Sequence, residues 1–179
     1  MTDVSSTTFG LIIAFLLPGI SALFTLSFWI ESLRSMFNTF VTSESNVGLF
    51  LSVVLFAIAL GLQVNVVRWL VFEQWICRKT ELEQEWFKSL SDGPTLLAFR
   101  AAVDEHYRYH QFWGSMTVVL PLFLLGSAQY LVPHPSNAFI VGYGIAAIAI
   151  ILITGLAAKK AYLNYVGRAG QIMKGGNDA

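Results

Sequence analysis

Four runs of the chain are apolar for about twenty residues each, and polar stretches separate them. The first extends from Phe9 to Ile30. Its 22 residues rise about 1.5 Å each, roughly 33 Å in all, enough for a bilayer's hydrocarbon core. Pro18 and Gly19 sit at its middle. Proline there removes a backbone donor, so this pair is the candidate kink or hinge. The second run, Gly48 to Val67, is polar only at Ser52, Gln63 and Asn65. Arg68 closes it and is expected to reach outward to the headgroups. The third, Phe112 to Val132, contains Pro121, a second expected bend. Trp113 stands where an aromatic belt residue belongs. The fourth, Ala138 to Ala158, carries small residues (Gly142, Gly144, Ala146, Gly155) suited to close helix contact. Lys159 and Lys160 end it, and the remaining tail reads as a short amphipathic run with a frayed end.

The connections carry their own periodicity. Between Glu31 and Val47, the residues Leu33, Met36, Phe37 and Phe40 recur at helical spacing, which predicts a short helix lying in the membrane interface. From Trp69 to Leu90 there is no helix breaker, so the helix of the second run is expected to continue to about Leu90. Ser91-Asp92-Gly93-Pro94 is a turn signal, and Thr95 can cap the next helix. That helix leads into the third run. Pro133 to Asn137 is a tight turn. The pattern predicts an all-α membrane protein of one domain, residues 1–179. It has four transmembrane helices (about 9–30, 48–67, 112–132 and 138–158), and spans two and three extend into a cytoplasmic helical hairpin over about 69–111. Twenty extra residues per arm project roughly 30 Å.

Composition agrees. Only 12% of the residues are charged and 55% are hydrophobic, whereas a soluble domain carries about a quarter charged residues. Formal net charge is zero, so no global basic field favours nucleic acid. The single cysteine, Cys77, excludes a disulfide framework within one chain. Flanked by Arg78 and Lys79, it reads as a bystander or a juxtamembrane lipidation site. No Lys or Arg precedes the first run, so a retained span is expected rather than a cleaved signal. Of the 11 Lys and Arg, all but Arg34 lie between Arg68 and Arg108 or after Ala158. The positive-inside rule then puts the central segment and both termini in the cytoplasm of a bacterial inner membrane.

The densest chemistry is Asp104-Glu105-His106-Tyr107-Arg108-Tyr109-His110. On a regular helix His106 and His110 share a face, and two such histidines can bind one metal ion. The glutamate precedes the first histidine, so the metalloprotease order is not met. A third ligand has to come from Glu81, Glu83 or Glu85 across the hairpin. Against this stands a packing stripe: Leu96, Phe99, Val103, His106, Tyr107 and His110 on one arm, with Leu82, Trp86 and Leu90 on the other. Arg100 and Asp104, and Asp104 and Arg108, are spaced for surface ion pairs. Histidine also titrates near physiological pH, which allows a pH-responsive contact. Asp92-Gly93 lacks the spacing of the CDP-alcohol phosphotransferase signature and reads as a turn.

No ionisable residue lies well inside a span, which argues against a proton-coupled pump. Gln63, Asn65, Thr117 and Gln129 are the polar groups available for interhelical bonds or for a pore lining. Four helices fill their own centre, so conduction is expected to require a homo-oligomer. The expectation is a non-enzymatic, cofactor-free membrane protein, pore-like or bilayer-perturbing. Its regulatory surface is Trp86, Arg100, Asp104, His106, Arg108 and His110. Its general build is similar to that of small membrane effectors of bacterial stress or phage-defence systems, an analogy of architecture only. The alternative is a membrane anchor that docks a soluble cytoplasmic partner through aromatic and arginine anchors. A second alternative is a metal-dependent membrane enzyme using His106 and His110.

Overall fold

The computed structural model describes residue 10 and residues 12–42, 47–76, 93–131 and 136–175. Cys77, Leu82, Trp86, Leu90 and the candidate ligands Glu81, Glu83 and Glu85 fall outside the described residues. Every element among the described residues is helical. Helix α1 comprises a π-helical turn, Ile12–Leu16, and a regular part, Leu17–Ser27. Helix α2 is Glu31–Thr42. Helix α3 comprises Val47–Arg68 and a π-helical end, Trp69–Ile76. Helix α4 comprises Gly93–Ala102, a π-helical turn Val103–Tyr107, and Arg108–Leu131. Helix α5 is Asn137–Gly175.

Three of these, α3, α4 and α5, are long and apolar enough to cross a bilayer. The first run is shorter than its sequence suggests. Helix α1 stops at Ser27, and the chain turns by 117° into α2. The wide turn at the start of α1 follows from Pro18. Its ring displaces the carbonyl four residues back, and a π turn accommodates that displacement. The hydroxyl of Ser21 donates to the Leu17 carbonyl at 2.9 Å, one turn below it in the same helix. Helix α4 begins at Gly93 rather than at Thr95. Pro94 lies in its first turn, where a missing N–H costs nothing. It continues unbroken through Pro121.

Helix α4 is central: α1, α3 and α5 all pack on it, and α1 also packs on α3. The α1–α3 crossing is set by two glycines. A Cβ on Gly19 would strike the backbone carbonyl of Ala57, and one on Gly61 would strike that of Phe15. The backbones therefore approach as closely as small residues permit. The α4–α5 seam is held by a polar pair. The Tyr143 hydroxyl donates to the Leu124 carbonyl at 2.7 Å and lies 2.8 Å from the Ser127 hydroxyl. Tyr143→Phe should lower the unfolding free energy by about 1 kcal/mol in a denaturant titration in mixed micelles.

Helix α5 extends beyond the end of the fourth run. It does not stop at Lys159-Lys160 but continues for 39 residues in all. Ala158, Tyr162, Tyr165, Ala169 and Met173 recur at three and four. Ala158, Ala169 and Met173 are fully buried, and Tyr165 packs on Phe99 and Tyr107 of α4. The packing stripe on the 93–110 arm thus finds its partner in the C-terminal half of α5. The two lysines project from the opposite, exposed side.

The surface is inverted relative to a water-soluble bundle. Leu55, Ile145 and Leu156 are each about two-thirds exposed, and the outer sides of α3 and α5 are almost wholly apolar: Phe50, Leu51, Phe56, Leu62, Val141, Ile148, Leu152 and Ile153 are also exposed. Soluble monomers rarely present apolar patches of this extent.

Candidate functional site

A charged node lies inside the bundle where α3, α4 and α5 meet. Arg68 does not reach outward. Its side chain turns in and is 1% exposed. Gly114 makes room for it, since a Cβ there would stand 2.8 Å from the Arg68 Cγ. The Arg68 Nε donates to the Asn65 Oδ1 at 2.8 Å. Its Nη1 donates to the Glu73 Oε1 at 2.9 Å and lies 2.8 Å from the His110 Nε2. The Tyr107 hydroxyl donates to the same Glu73 oxygen at 3.2 Å. The His110 Nδ1 lies 2.9 Å from the Ala158 carbonyl.

These contacts fix the state of His110. A guanidinium only donates and a carbonyl only accepts. Nε2 must therefore be the bare nitrogen and Nδ1 must carry the hydrogen, which makes the imidazole neutral. The ring joins two helices, taking a bond from α3 and giving one to α5. Phe72 stands edge-on to it at 5.9 Å, and Tyr162 lies 5.0 Å away. Arg68 and Glu73 cancel each other's charge; Arg68 is sealed from solvent, while the Glu73 side chain stays 22% exposed. A buried pair of this kind specifies an arrangement of helices more than it adds stability.

The geometry depends on wide helical turns. Residues five apart on a regular α-helix lie about 140° apart. Arg68 and Glu73 meet because the segment after Arg68 is π-helical, closed by bonds to the fifth residue, which brings such residues to one side. Among the described residues, π turns lie at this end of the bundle at Ile12–Leu16, Trp69–Ile76 and Val103–Tyr107. Wide turns of this kind recur at functional sites.

The two histidines also have different surroundings. His110 is fully buried against α3 and α5, whereas His106 is half-buried and lies 3.5 Å from the Arg168 Nη1. Their α5 partners, Ala158 and Arg168, are ten residues apart, about 15 Å of helix rise. They do not converge on one ion, and among the described residues no group of three His, Cys, Asp or Glu is placed to hold a metal. His106→Ala should change stability by less than about 0.5 kcal/mol and leave the metal content of the purified protein unaltered, measured by elemental analysis.

The other candidate residues divide in the same way. Asp104 pairs with Arg108 at 2.7 Å. Arg108 lies over Gly10, where a Cβ would strike its side chain. This pair borders a cavity of about 450 Å³ together with Ile13 and Glu105. Arg100 is exposed one turn below. Glu105 reaches Arg168 on α5 at 3.2 Å, an exposed pair of small energetic weight. Of the polar residues in the spans, Asn65 serves Arg68. Thr117 bonds its own helix at Trp113 and faces Gly155. Gln63 and Gln129 are exposed on the outside. The four share no common lumen within one chain. The sequence pattern gives Arg68 an outward reach and gives Glu73 no role. The available signal was Gly114, a small residue directly after Trp113 on the helix that Arg68 crosses. No family model matches the chain, and no curated protein or solved structure matches it.

Proposed function

We propose that the chain is an integral membrane protein, non-enzymatic, that self-associates and acts on the bilayer as a pore-like or perturbing effector. The observation that carries this reading is the inverted surface: the outer sides of α3 and α5 are apolar and exposed, while the charged side chain of Arg68 is folded inside and paired with Glu73. In this proposal α1, α3, α4 and α5 make four passes. Both termini are on the cytoplasmic side of a bacterial inner membrane, as the placement of basic residues favours.

The polar end of the molecule is the input. Helices α4 and α5 run without interruption from that end into their apolar halves, so a force or ligand on residues 93–107 and 159–175 is transmitted along rigid helices. The Arg68–Glu73–His110 node is where that end is tied to α3. Loosening it lets α3 move against α4 and α5. With Gln63 and Gln129 on the outside of the single chain, polar side chains are available to face one another between copies.

An anchor for a soluble partner is the second reading, favoured by Tyr109 and Leu97, which are exposed on the polar half of α4. Purification in mild detergent with a mass measurement separates the two. A defined multiple of the chain's own mass supports self-association. A strict monomer, or a one-to-one complex with a soluble second protein, contradicts it.

A further inference from the structure

We infer that α2 is a fixed anchor in the lipid interface, held there by Arg34, on the face of the membrane opposite the Arg68 node. Three observations lead to this surface and this occupant.

The first is direction. The chain leaves α1 at an angle of 117°. If α1 follows the membrane normal, α2 lies near the membrane plane and leans back toward the bundle. The second is the division of its surface. On the helix Leu33, Met36, Phe37 and Phe40 fall on one side, and Glu31, Ser32, Ser35, Asn38, Thr39 and Thr42 fall on the other. The polar set is exposed throughout, while Leu33, Met36 and Phe37 are half-buried. Phe37 touches Phe24 of α1 edge-on, 5.8 Å between centroids. The apolar side therefore points to the bundle and to whatever surrounds it. Phe40, on the same side but farther out, remains 41% exposed, with Trp29 and Ile30 similarly open at the bend.

The third is the means of holding the angle. Arg34 turns back onto the end of α1. Its Nε donates to the Ser27 carbonyl at 3.2 Å and its Nη2 to the Phe28 carbonyl at 2.7 Å. These are C-terminal carbonyls without helical partners, and a cation is favoured there. The same guanidinium stands over the Tyr130 ring of α4, 5.1 Å from its centroid. One side chain thus joins the end of α1, the start of α2 and the end of α4. Beneath it Phe24, Phe28, Phe123 and Tyr130 form a continuous aromatic cluster. Aromatic and amphipathic side chains at the end of an apolar bundle are what the headgroup boundary accepts.

The occupant is lipid rather than protein because the apolar side of α2 meets, at Phe37–Phe24, a line of exposed apolar residues on α1: Phe24, Ile20 and Leu17. A short amphipathic helix of this kind buries its apolar side in the boundary between headgroups and acyl chains. The inference rests on the chain spanning a bilayer, and requires nothing about leakage or self-association.

The test uses the full chain in phosphatidylethanolamine–phosphatidylglycerol vesicles, in a Cys77→Ser background. Nitroxide labels are placed singly at Phe40→Cys, Asn38→Cys, Ser35→Cys and, as a reference on α3, Leu55→Cys. Relaxation by oxygen, which concentrates in lipid, is compared with relaxation by a water-soluble nickel chelate. The labels at 40 and 55 should be oxygen-accessible and chelate-protected, and those at 35 and 38 the reverse. Adding Arg34→Gln should raise chelate access at 40 several-fold while leaving 55 unchanged. Chelate access at 40 with oxygen access at 55 overturns the anchor alone. Protection at 40 from both reagents means a protein surface covers α2 and also overturns it. Chelate access at 55 overturns the membrane reading on which the inference rests. An unchanged label at 40 in Arg34→Gln removes Arg34 from its holding role.

Discussion

Glu73→Ala should destabilise the folded bundle by about 3–5 kcal/mol, because it leaves the buried Arg68 charge without its counter-ion. Arg68 is 1% exposed, and its remaining partners, Asn65 and the neutral ring of His110, are dipoles rather than charges. They do not replace a carboxylate 2.9 Å away. The Tyr107 hydroxyl loses its acceptor at the same time. Arg68→Met combined with Glu73→Leu should recover most of the loss, since neither charge then has to be buried. Unfolding in a mixed-micelle denaturant titration measures both variants, and the difference between the double substitution and the sum of the singles measures their coupling. A double variant as unstable as that sum would mean that Arg68 and Glu73 act independently.

The second large effect belongs to the α1–α3 crossing. Gly19→Leu or Gly61→Leu should cost about 3 kcal/mol or more, at the upper end of overpacking. The first new carbon alone meets backbone, the Ala57 carbonyl for Gly19 and the Phe15 carbonyl for Gly61. Backbone cannot step aside as a side-chain tip can, so the helices must separate. Gly142 is the control. A Cβ there meets nothing within 4 Å, so Gly142→Ala should stay within about 0.5 kcal/mol of wild type. Thermal unfolding followed by circular dichroism in detergent distinguishes the three. Equal stability at all of them would mean that α1 and α3 do not cross at Gly19 and Gly61.

The helices were legible because hydropathy and helical period coincide in them. The second run ends one residue before Arg68, and α3's regular part ends at Arg68. The third and fourth runs begin inside helices whose apolar parts they mark. The short amphipathic helix after the first run was equally readable, since Leu33, Met36, Phe37 and Phe40 differ sharply from the residues between them. What escaped depended on departures from the regular period. Arg68 and Glu73 are five apart, a spacing that a regular helix places on different sides, and only the wide turn after Arg68 brings them together. His106 and His110 have the spacing of a ligand pair, but their side chains meet α5 ten residues apart, at Arg168 and Ala158. The length of α5 was hidden for another reason. Lys159 and Lys160 look like a boundary, while the stripe from Ala158 through Tyr162, Tyr165, Ala169 and Met173 passes beneath them at an unbroken helical period.

In the proposed function, the node also couples the polar end to the apolar halves of the helices. His110 takes a hydrogen bond from α3 and gives one to α5, so a displacement of either helix breaks a bond to a buried group. Such a bond costs more to lose than it contributes when made. The proposed function requires the three helices to move together or to part at once, as a two-state element does.

Dye release from vesicles tests the proposed action on the bilayer most directly. The protein, reconstituted at increasing density into vesicles loaded with carboxyfluorescein, should release dye more steeply than in proportion to density, as assembly of several copies requires. Vesicles that remain tight at every density, with the protein fully inserted, would contradict it.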